Sequence, residues 1–276
     1  MAIARAPAAT RSTPTARRPT LGRTILAFAA TGMFFGVAAV LTCVVWLAAR
    51  VHTRDETERA EFTRRLNRGF LPFAGFIRDA GFVGYSPCEL PAAYEDRPVL
   101  VVANHPSLID VVLLLPWMPR LVTVVKESWY RSWVLGAVLR ETDHIPGPGH
   151  ASDAESKDMA PVVERIAAAL ESGAPVLAFP EGTRSRPDGS LRRLRRGSIE
   201  AAVRAGVDVL PLFIEVDRPF LTKGQPMWRV PRKRAHFAFE WLPPISTRGG
   251  DAQEITRRLG AMFGERLRAR RRGDEA

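Results

Sequence analysis

Cysteine is nearly absent from this 276-residue chain, which holds only Cys43 and Cys88. Two thiols exclude any disulfide framework beyond a single pair and supply no metal spacing. Their scarcity fits a reducing compartment for the main domain. Histidine does not fill the gap: His52, His144, His150 and His236 are scattered, and none forms a metal pair of helical spacing. They read as surface or core residues. A G-x-S-x-G elbow is missing, which argues against a serine nucleophile even though Ser107 lies close to a histidine. No internal repeat is visible. No nucleic-acid module or stacking aromatics accompany the basic run. Charge of either sign is absent from Thr24 to Ala49.

What is present is a 46% apolar chain with a net charge of +11. That is enough for one sizeable core plus extensions, and too short for two ordinary enzyme domains with linkers. Arginine supplies most of the positive charge, and its planar fork suits phosphate. A basic balance of this size suits nucleic acid or an acidic membrane surface, and charge alone does not choose between them.

Residues 1–23 are rich in Arg, Ala, Pro and Thr without apolar periodicity, and read as a basic disordered tail. Residues 24–50 are long enough for a transmembrane or membrane-anchoring helix, since about 20 apolar residues span a bilayer. A signal peptide is the rival reading, but its apolar core would be shorter. Arginines flank the run almost evenly, so the positive-inside rule is close to a tie, which also suits a helix lying in one leaflet. Residues 51–84 read as an amphipathic helical linker. Its greasy part, Phe70 to Phe82, fits either a core helix or an element at the bilayer interface.

From residue 98 short apolar runs alternate with helical patterns. Pro98–Ala103, Leu121–Val125, Pro175–Phe179, Val209–Ile214 and Ala235–Trp241 read as strands. Ser152–Ser172, Ser198–Ala205 and the segment from Asp251 onward read as helices, the last with a basic end at Arg266–Arg272. The expected fold is α/β, a mixed central sheet flanked by helices, preceded by the membrane helix, with the main domain over 85–276.

Two loops carry chemistry, and both follow directly on strands, where α/β folds place their sites. In Asn104-His105-Pro106-Ser107-Leu108-Ile109-Asp110, a carboxylate five residues beyond a histidine can reach the imidazole in a turn entering a helix. It would fix the tautomer and raise the basicity of the other nitrogen, making a general base. The bland alternative is a pair that only caps the helix. In Phe179-Pro180-Glu181-Gly182-Thr183-Arg184-Ser185, the glycine allows close backbone approach and Arg184 can grip a phosphate through two nitrogens. Here the alternative is a turn with a surface ion pair. Beyond it, Arg184, Arg186, Arg192, Arg193, Arg195 and Arg196 form the basic run. Beside a membrane helix, it reads as a surface for phospholipid headgroups and coenzyme A phosphates.

Together these blocks resemble the glycerolipid acyltransferase family, the bacterial lysophosphatidate acyltransferases and their relatives, which carry N-H-x-x-x-x-D and then F-P-E-G-T-R-S. The resemblance extends to Val124-Val125-Lys126-Glu127, to Arg195-Arg196-Gly197 and to Val209-Leu210-Pro211-Leu212, and spans roughly residues 85 to 265. It implies His105 as the base, Asp110 as its partner, and direct attack of the acceptor alkoxide on an acyl thioester. It also implies that Glu181, Gly182, Thr183 and Arg184 hold the acceptor, with Arg184 on phosphate, Lys126 adding charge and Pro211 shaping the acyl side. The partners implied are a lysophospholipid acceptor such as 1-acyl-sn-glycerol 3-phosphate, an acyl-CoA or acyl-ACP donor, and the membrane. Nucleic acid, metal and cofactor are not called for. The expected location is the membrane, with the catalytic domain on the cytoplasmic face. Other acceptors (glycerol 3-phosphate, a lyso-ornithine lipid, a specialised-pathway lipid) and a non-enzymatic adaptor are the alternatives. One departure bears on the acceptor: Gly136–Gly147 lacks the arginine that the family places after its apolar residues to help bind the acceptor, and Arg140 comes too early for it.

Overall fold

The computed structural model describes residues 21–48, 54–148, 159–226 and 229–273. The tail over 1–20, the start of the expected helix at 152–158, and both His52 and His150 lie outside them.

A 28-residue helix, α1 (Leu21–Ala48), opens the described chain. By length and composition alone it is able to cross a membrane. It begins before the uncharged run, so Arg23 lies within it. That guanidinium donates to the Gly81 carbonyl at 3.0 Å and sits over the Phe82 ring. Ala27 and Ala30 are buried, and Phe34 packs on Phe70 and Phe73, whereas Ile25, Val37, Val40, Val44 and Leu47 are exposed. One face of α1 therefore docks on the domain and the other offers bare apolar surface.

Helix α2 (Glu56–Arg68) starts with a reciprocal capping box between Asp55 and Glu58. It belongs to the body of the domain and does not hang as a free linker. Asn67 Nδ2 donates to the carbonyls of Pro119 and Leu121, and the α2 end ties to the 141–143 turn through Arg54–Glu141 at 2.8 Å and Arg59–Asp143 at 3.6 Å. Helix α3 (Leu71–Asp79) buries Ala74 and Ile77, and Phe73 and Phe76 pack against the same core. The greasy stretch is thus mainly a core element; of its large apolar side chains, Leu71 is the exposed one.

Among the described residues the sheet has seven strands: β1 (Val83–Tyr85), β2 (Leu100–Ala103), β3 (Val122–Val125), β4 (Ile145–Pro146), β5 (Val176–Ala178), β6 (Val209–Val216) and β7 (Ala235–Trp241), in the order β1-β7-β6-β2-β5-β3-β4. All neighbours are parallel except β6 and β7. The sheet is therefore mixed, as expected. Strands β2, β5 and β6 lie at its centre and are buried on both faces, so they read as continuous apolar runs. Alternate residues feed two cores. Val99, Val101 and Ala103 face the layer holding α1, α3 and α4 (Asp110–Leu114). Leu100 and Val102 face the layer of α7 (Ala160–Glu171), α8 (Gly197–Ala205) and α9 (Ala252–Gly273). Short helices α5 (Glu127–Tyr130) and α6 (Gly136–Arg140) follow β3.

The basic end of α9 is partly neutralised by the sheet. Arg270 pairs with Glu215 at 3.0 Å and Arg266 pairs with Glu240. Two arginines of this basic end are therefore engaged within the protein.

Candidate active site

Strand β2 ends at Ala103, and its hydrogen-bonding ladder is continued by a side chain. The buried Asn104 amide donates to the Ile214 carbonyl at 2.8 Å and accepts from the Ile214 N–H at 2.7 Å. An asparagine can copy both halves of a peptide group, so the chain leaves the sheet at a fixed point. His105 is thereby held at the carboxyl edge of the sheet.

His105 Nδ1 lies 2.8 Å from Asp110 Oδ2. The same oxygen accepts the Ser107 N–H at 2.9 Å. Asp110 is fully buried, and its other oxygen, Oδ1, has no hydrogen-bond partner among the described residues. Burial pushes its pKa above the ordinary carboxylate range, while His105, the Ser107 N–H and the charge of Arg184 pull it back. A carboxylate at Nδ1 places the imidazole proton there and leaves Nε2 as the basic nitrogen. The His105 ring is further held by stacking on Phe179, with centroids 4.2 Å apart.

The second loop docks on the first. The Ser185 N–H donates to the His105 carbonyl at 2.7 Å. Glu181 is buried, and the loops themselves supply donors to its carboxylate. Oε1 accepts from Ser185 Oγ at 2.5 Å and from the His105 N–H at 3.2 Å, and Oε2 accepts from the Arg192 N–H at 2.8 Å. Three donors point at Glu181 from within, so it fastens the two loops together. Gly182 is exposed with φ +64°, a left-handed conformation that disfavours a side chain, and a Cβ there would come within 3.1 Å of the Arg195 guanidinium. Thr183 is half-buried beside it.

Arg184 is partly buried, and burial lowers its pKa, whereas Asp110 opposes the shift. Its Nη1 donates to the carbonyls of Leu221 and Thr222 at 2.8 and 3.0 Å. No further side-chain hydrogen bond is made by Arg184 among the described residues, so Nε and Nη2 stay open to an anion. Leu221 has φ +48°, unusual for a residue with a side chain, and its carbonyl also accepts the Leu108 N–H at 3.2 Å. This strained carbonyl thus joins the His105 loop to Arg184. Lys126 is exposed at the end of β3, two strands from β2 on the same sheet edge. Nothing brings it into contact with His105 or Arg184 among the described residues. Pro211 lies in β6, paired in register with Val102.

His144 is buried, and desolvation lowers its pKa to about 4. Its Nδ1 accepts the Thr123 N–H at 3.3 Å, so it is a neutral core histidine, while His236 is exposed beside Asp217. Among the described residues, no group of three or more His, Cys, Asp or Glu is placed to hold a metal ion.

Sequence reasoning passed over Phe179 as a ring support, Asn104 as a ladder extension and Leu221 as the shared acceptor. Asn104 and Phe179 stood inside the motifs, but only the register of β2 on β6 and the ring contact show their use.

Residues 88–215, which hold both loops, match the Acyltransferase family model. A lyso-ornithine lipid O-acyltransferase of Pseudomonas aeruginosa is 29% identical over 240 residues, covering 79% of this chain and 87% of the relative. A 1-acyl-sn-glycerol-3-phosphate acyltransferase of Chlamydomonas reinhardtii is 28% identical over 149 residues, covering 54% of this chain and 43% of the relative. The chain therefore spans less than half the length of this algal relative. In fold, it is similar to the crystal structure of the 1-acyl-sn-glycerophosphate acyltransferase PlsC of Thermotoga maritima. The TM-score is 0.64 at 21% identity, over 90% of this chain and 98% of the other. The segment similar to the Acyltransferase family model carries both motif loops and the sheet edge that presents them.

Proposed function

We propose that this protein is a membrane-attached O-acyltransferase that moves a fatty acyl group from a thioester donor to the hydroxyl of a lysophospholipid, 1-acyl-sn-glycerol 3-phosphate. The observation that carries this reading is the His105–Asp110 pair, 2.8 Å apart with the carboxylate fully buried. Nε2 of His105 takes the proton from the acceptor hydroxyl as its oxygen attacks the thioester carbonyl. The new C–O bond forms, the C–S bond breaks, and the leaving thiolate receives the proton back from the imidazolium. Buried Asp110 stabilises that transient cation. The open nitrogens of Arg184 would hold the acceptor phosphate. The exposed apolar face of α1 serves as the anchor, and the catalytic domain lies on the cytoplasmic face.

A second acceptor, a lyso-ornithine lipid, is favoured by two observations. The relative named a lyso-ornithine lipid O-acyltransferase aligns over 79% of this chain and 87% of its own length, and Gly136–Gly147 lacks the arginine expected to help bind the acceptor. Purified protein in detergent, given an acyl thioester and each lysolipid in turn, separates the readings by thiol release and product mass. Turnover of lysophosphatidate in preference to the other acceptors is expected. Turnover of lyso-ornithine lipid alone would replace the acceptor, and no thiol release with any lysolipid would remove the acyl-transfer reading.

A further inference from the structure

Arg184 is held from a direction that the two motif loops do not supply. Both acceptors of its Nη1, the carbonyls of Leu221 and Thr222, lie in the connection between β6 and β7. That connection follows the segment 88–215 similar to the family model. Its entry is fixed by burial: Phe220 and Leu221 are buried in the core they share with α4, and the Phe220 ring meets Phe237 of β7 edge-on.

Thr222-Lys223-Gly224-Gln225 then makes a tight turn. The Gln225 N–H donates to the Thr222 carbonyl at 3.0 Å, and Gly224 at the third position has φ +86°, which this turn needs and a side chain disfavours. The Gln225 side chain reaches back as well. Its Oε1 accepts the Thr222 N–H at 3.1 Å and the Thr222 hydroxyl at 3.3 Å, while its Nε2 donates to the Arg229 carbonyl. An ordinary turn closes on its backbone hydrogen bond alone. Here the side chain of Gln225 locks the turn a second time, and the Thr222 carbonyl that it fixes is the one shared with Arg184.

The first residue inside this turn is Lys223. It is exposed and has no hydrogen-bond or ion-pair partner among the described residues. Its Cα follows the Thr222 carbonyl directly, and that oxygen lies 3.0 Å from Arg184 Nη1. Standard backbone dimensions put the Cα about 3 Å from the preceding carbonyl oxygen, so an ammonium on a stem of about 6 Å is long enough to reach an anion seated on Arg184. The turn thus stations a second cation beside the open nitrogens of Arg184. Other cations are less well placed. Arg192 turns its Nε to the Arg184 carbonyl at 3.0 Å, no contact joins Lys126 to Arg184 among the described residues, and Gly136–Gly147 lacks the arginine expected to help bind the acceptor.

Charge decides what such a pair selects. A phosphate monoester carries close to two negative charges and three free oxygens. The open nitrogens of Arg184 can take two of those oxygens and offset one charge. The remaining charge suits a separate point cation, which a lysine supplies. A zwitterionic lysolipid such as a lyso-ornithine lipid brings one carboxylate and an ammonium of its own, which Lys223 would repel. We propose that Lys223, held by the Thr222–Gln225 turn, is the second cation of the acceptor site and selects lysolipids that end in a phosphate monoester. That the bound lipid is then acylated rests on the acyl-transfer reading given above. Binding of its phosphate by Lys223 and Arg184 does not.

The test uses the full chain in detergent and measures equilibrium binding, without donor, by titration calorimetry. The ligands are lysophosphatidate, lyso-ornithine lipid and 1-acylglycerol, which lacks the phosphate. Lys223→Ala should weaken lysophosphatidate binding about fivefold, the upper range for one exposed ion pair, and leave 1-acylglycerol binding unchanged. Lys223→Gln, which keeps the stem and removes the charge, should match it, and Lys223→Arg should retain most of the binding. Lys233→Ala removes an equal charge from another exposed lysine and should change none of the three ligands. Thiol release by the same proteins should show the acceptor KM rising in Lys223→Ala while kcat and the donor KM stay put. Equal binding of lysophosphatidate by the wild type and Lys223→Ala overturns the proposal. So does an equal loss for 1-acylglycerol, or the same loss in Lys233→Ala. Lys223-dependent binding in a protein that releases no thiol with any lysolipid would uphold the site and sink the acyl-transfer reading. Turnover of lysophosphatidate with an acceptor KM indifferent to Lys223 would do the reverse.

Discussion

Replacing Asp110 by asparagine should separate activity from stability. In the folded protein, Oδ2 accepts two donors, the Ser107 N–H at 2.9 Å and His105 Nδ1 at 2.8 Å, while Oδ1 is buried without a partner. An asparagine can keep both contacts only by placing its carbonyl oxygen at Oδ2. Its amide then occupies the Oδ1 position, where no acceptor waits among the described residues, at a cost of about 1–3 kcal/mol. That cost is offset because burial holds the Asp110 pKa above its ordinary value, so a neutral side chain suits the site. The sign follows from linkage. A raised folded pKa gives stability that is full below the unfolded carboxylate range and is lost as pH rises through the folded value, and the amide escapes that loss. Asp110→Asn should therefore melt close to the wild type at neutral pH, and compare better there than in acid. Activity should behave differently. The imidazolium formed during transfer loses a charge partner worth about 4 kcal/mol at roughly 4 Å and an effective dielectric of about 20. That corresponds to a fall of about 10³ in kcat. Steady-state thiol release, measured beside a thermal melt, reads both quantities. A loss below tenfold, or a loss that tracks unfolding, would refute the role given to Asp110.

Asn104→Ala should destabilise the fold by about 2–4 kcal/mol in chemical denaturation, because it leaves both the N–H and the carbonyl of Ile214 buried and unpaired. Arg184→Ala should raise the acceptor KM more than the donor KM, as read from two-substrate kinetics; an effect confined to donor saturation would place Arg184 on the wrong substrate. His144 contributes stability that is present above its ordinary pKa of 6.5 and lost as pH falls through about 4. His144→Gln should flatten the stability change between these values, by on the order of 3 kcal/mol in denaturant titrations at several pH values.

The central strands and the two motif loops were legible in the sequence for one physical reason. Strands β2, β5 and β6 are covered on both faces, so they appear as uninterrupted apolar runs, and each motif begins where such a run stops. The edge strands β1 and β4 are three and two residues long and leave no periodicity to detect. The docking of α2 on the 141–143 turn depends on charges far apart in the chain, Arg54 with Glu141 and Arg59 with Asp143. Glu181 shows the limit of motif reading most sharply. Its place beside Gly182 and Arg184 suggested a ligand contact, and only the fold reveals that its donors come from Ser185, His105 and Arg192.

The proposed chemistry depends most directly on one nitrogen, His105 Nε2. The decisive measurement is acyl transfer by His105→Ala, with lysophosphatidate and a labelled acyl thioester, in protein shown by its melt to be folded. Removal of a general base should lower kcat by about 10² to 10⁴, with labelled product falling in step with thiol release. Folded His105→Ala protein that turns over within a few-fold of the wild type would contradict the account, because no other residue in the two loops is placed to take the hydroxyl proton.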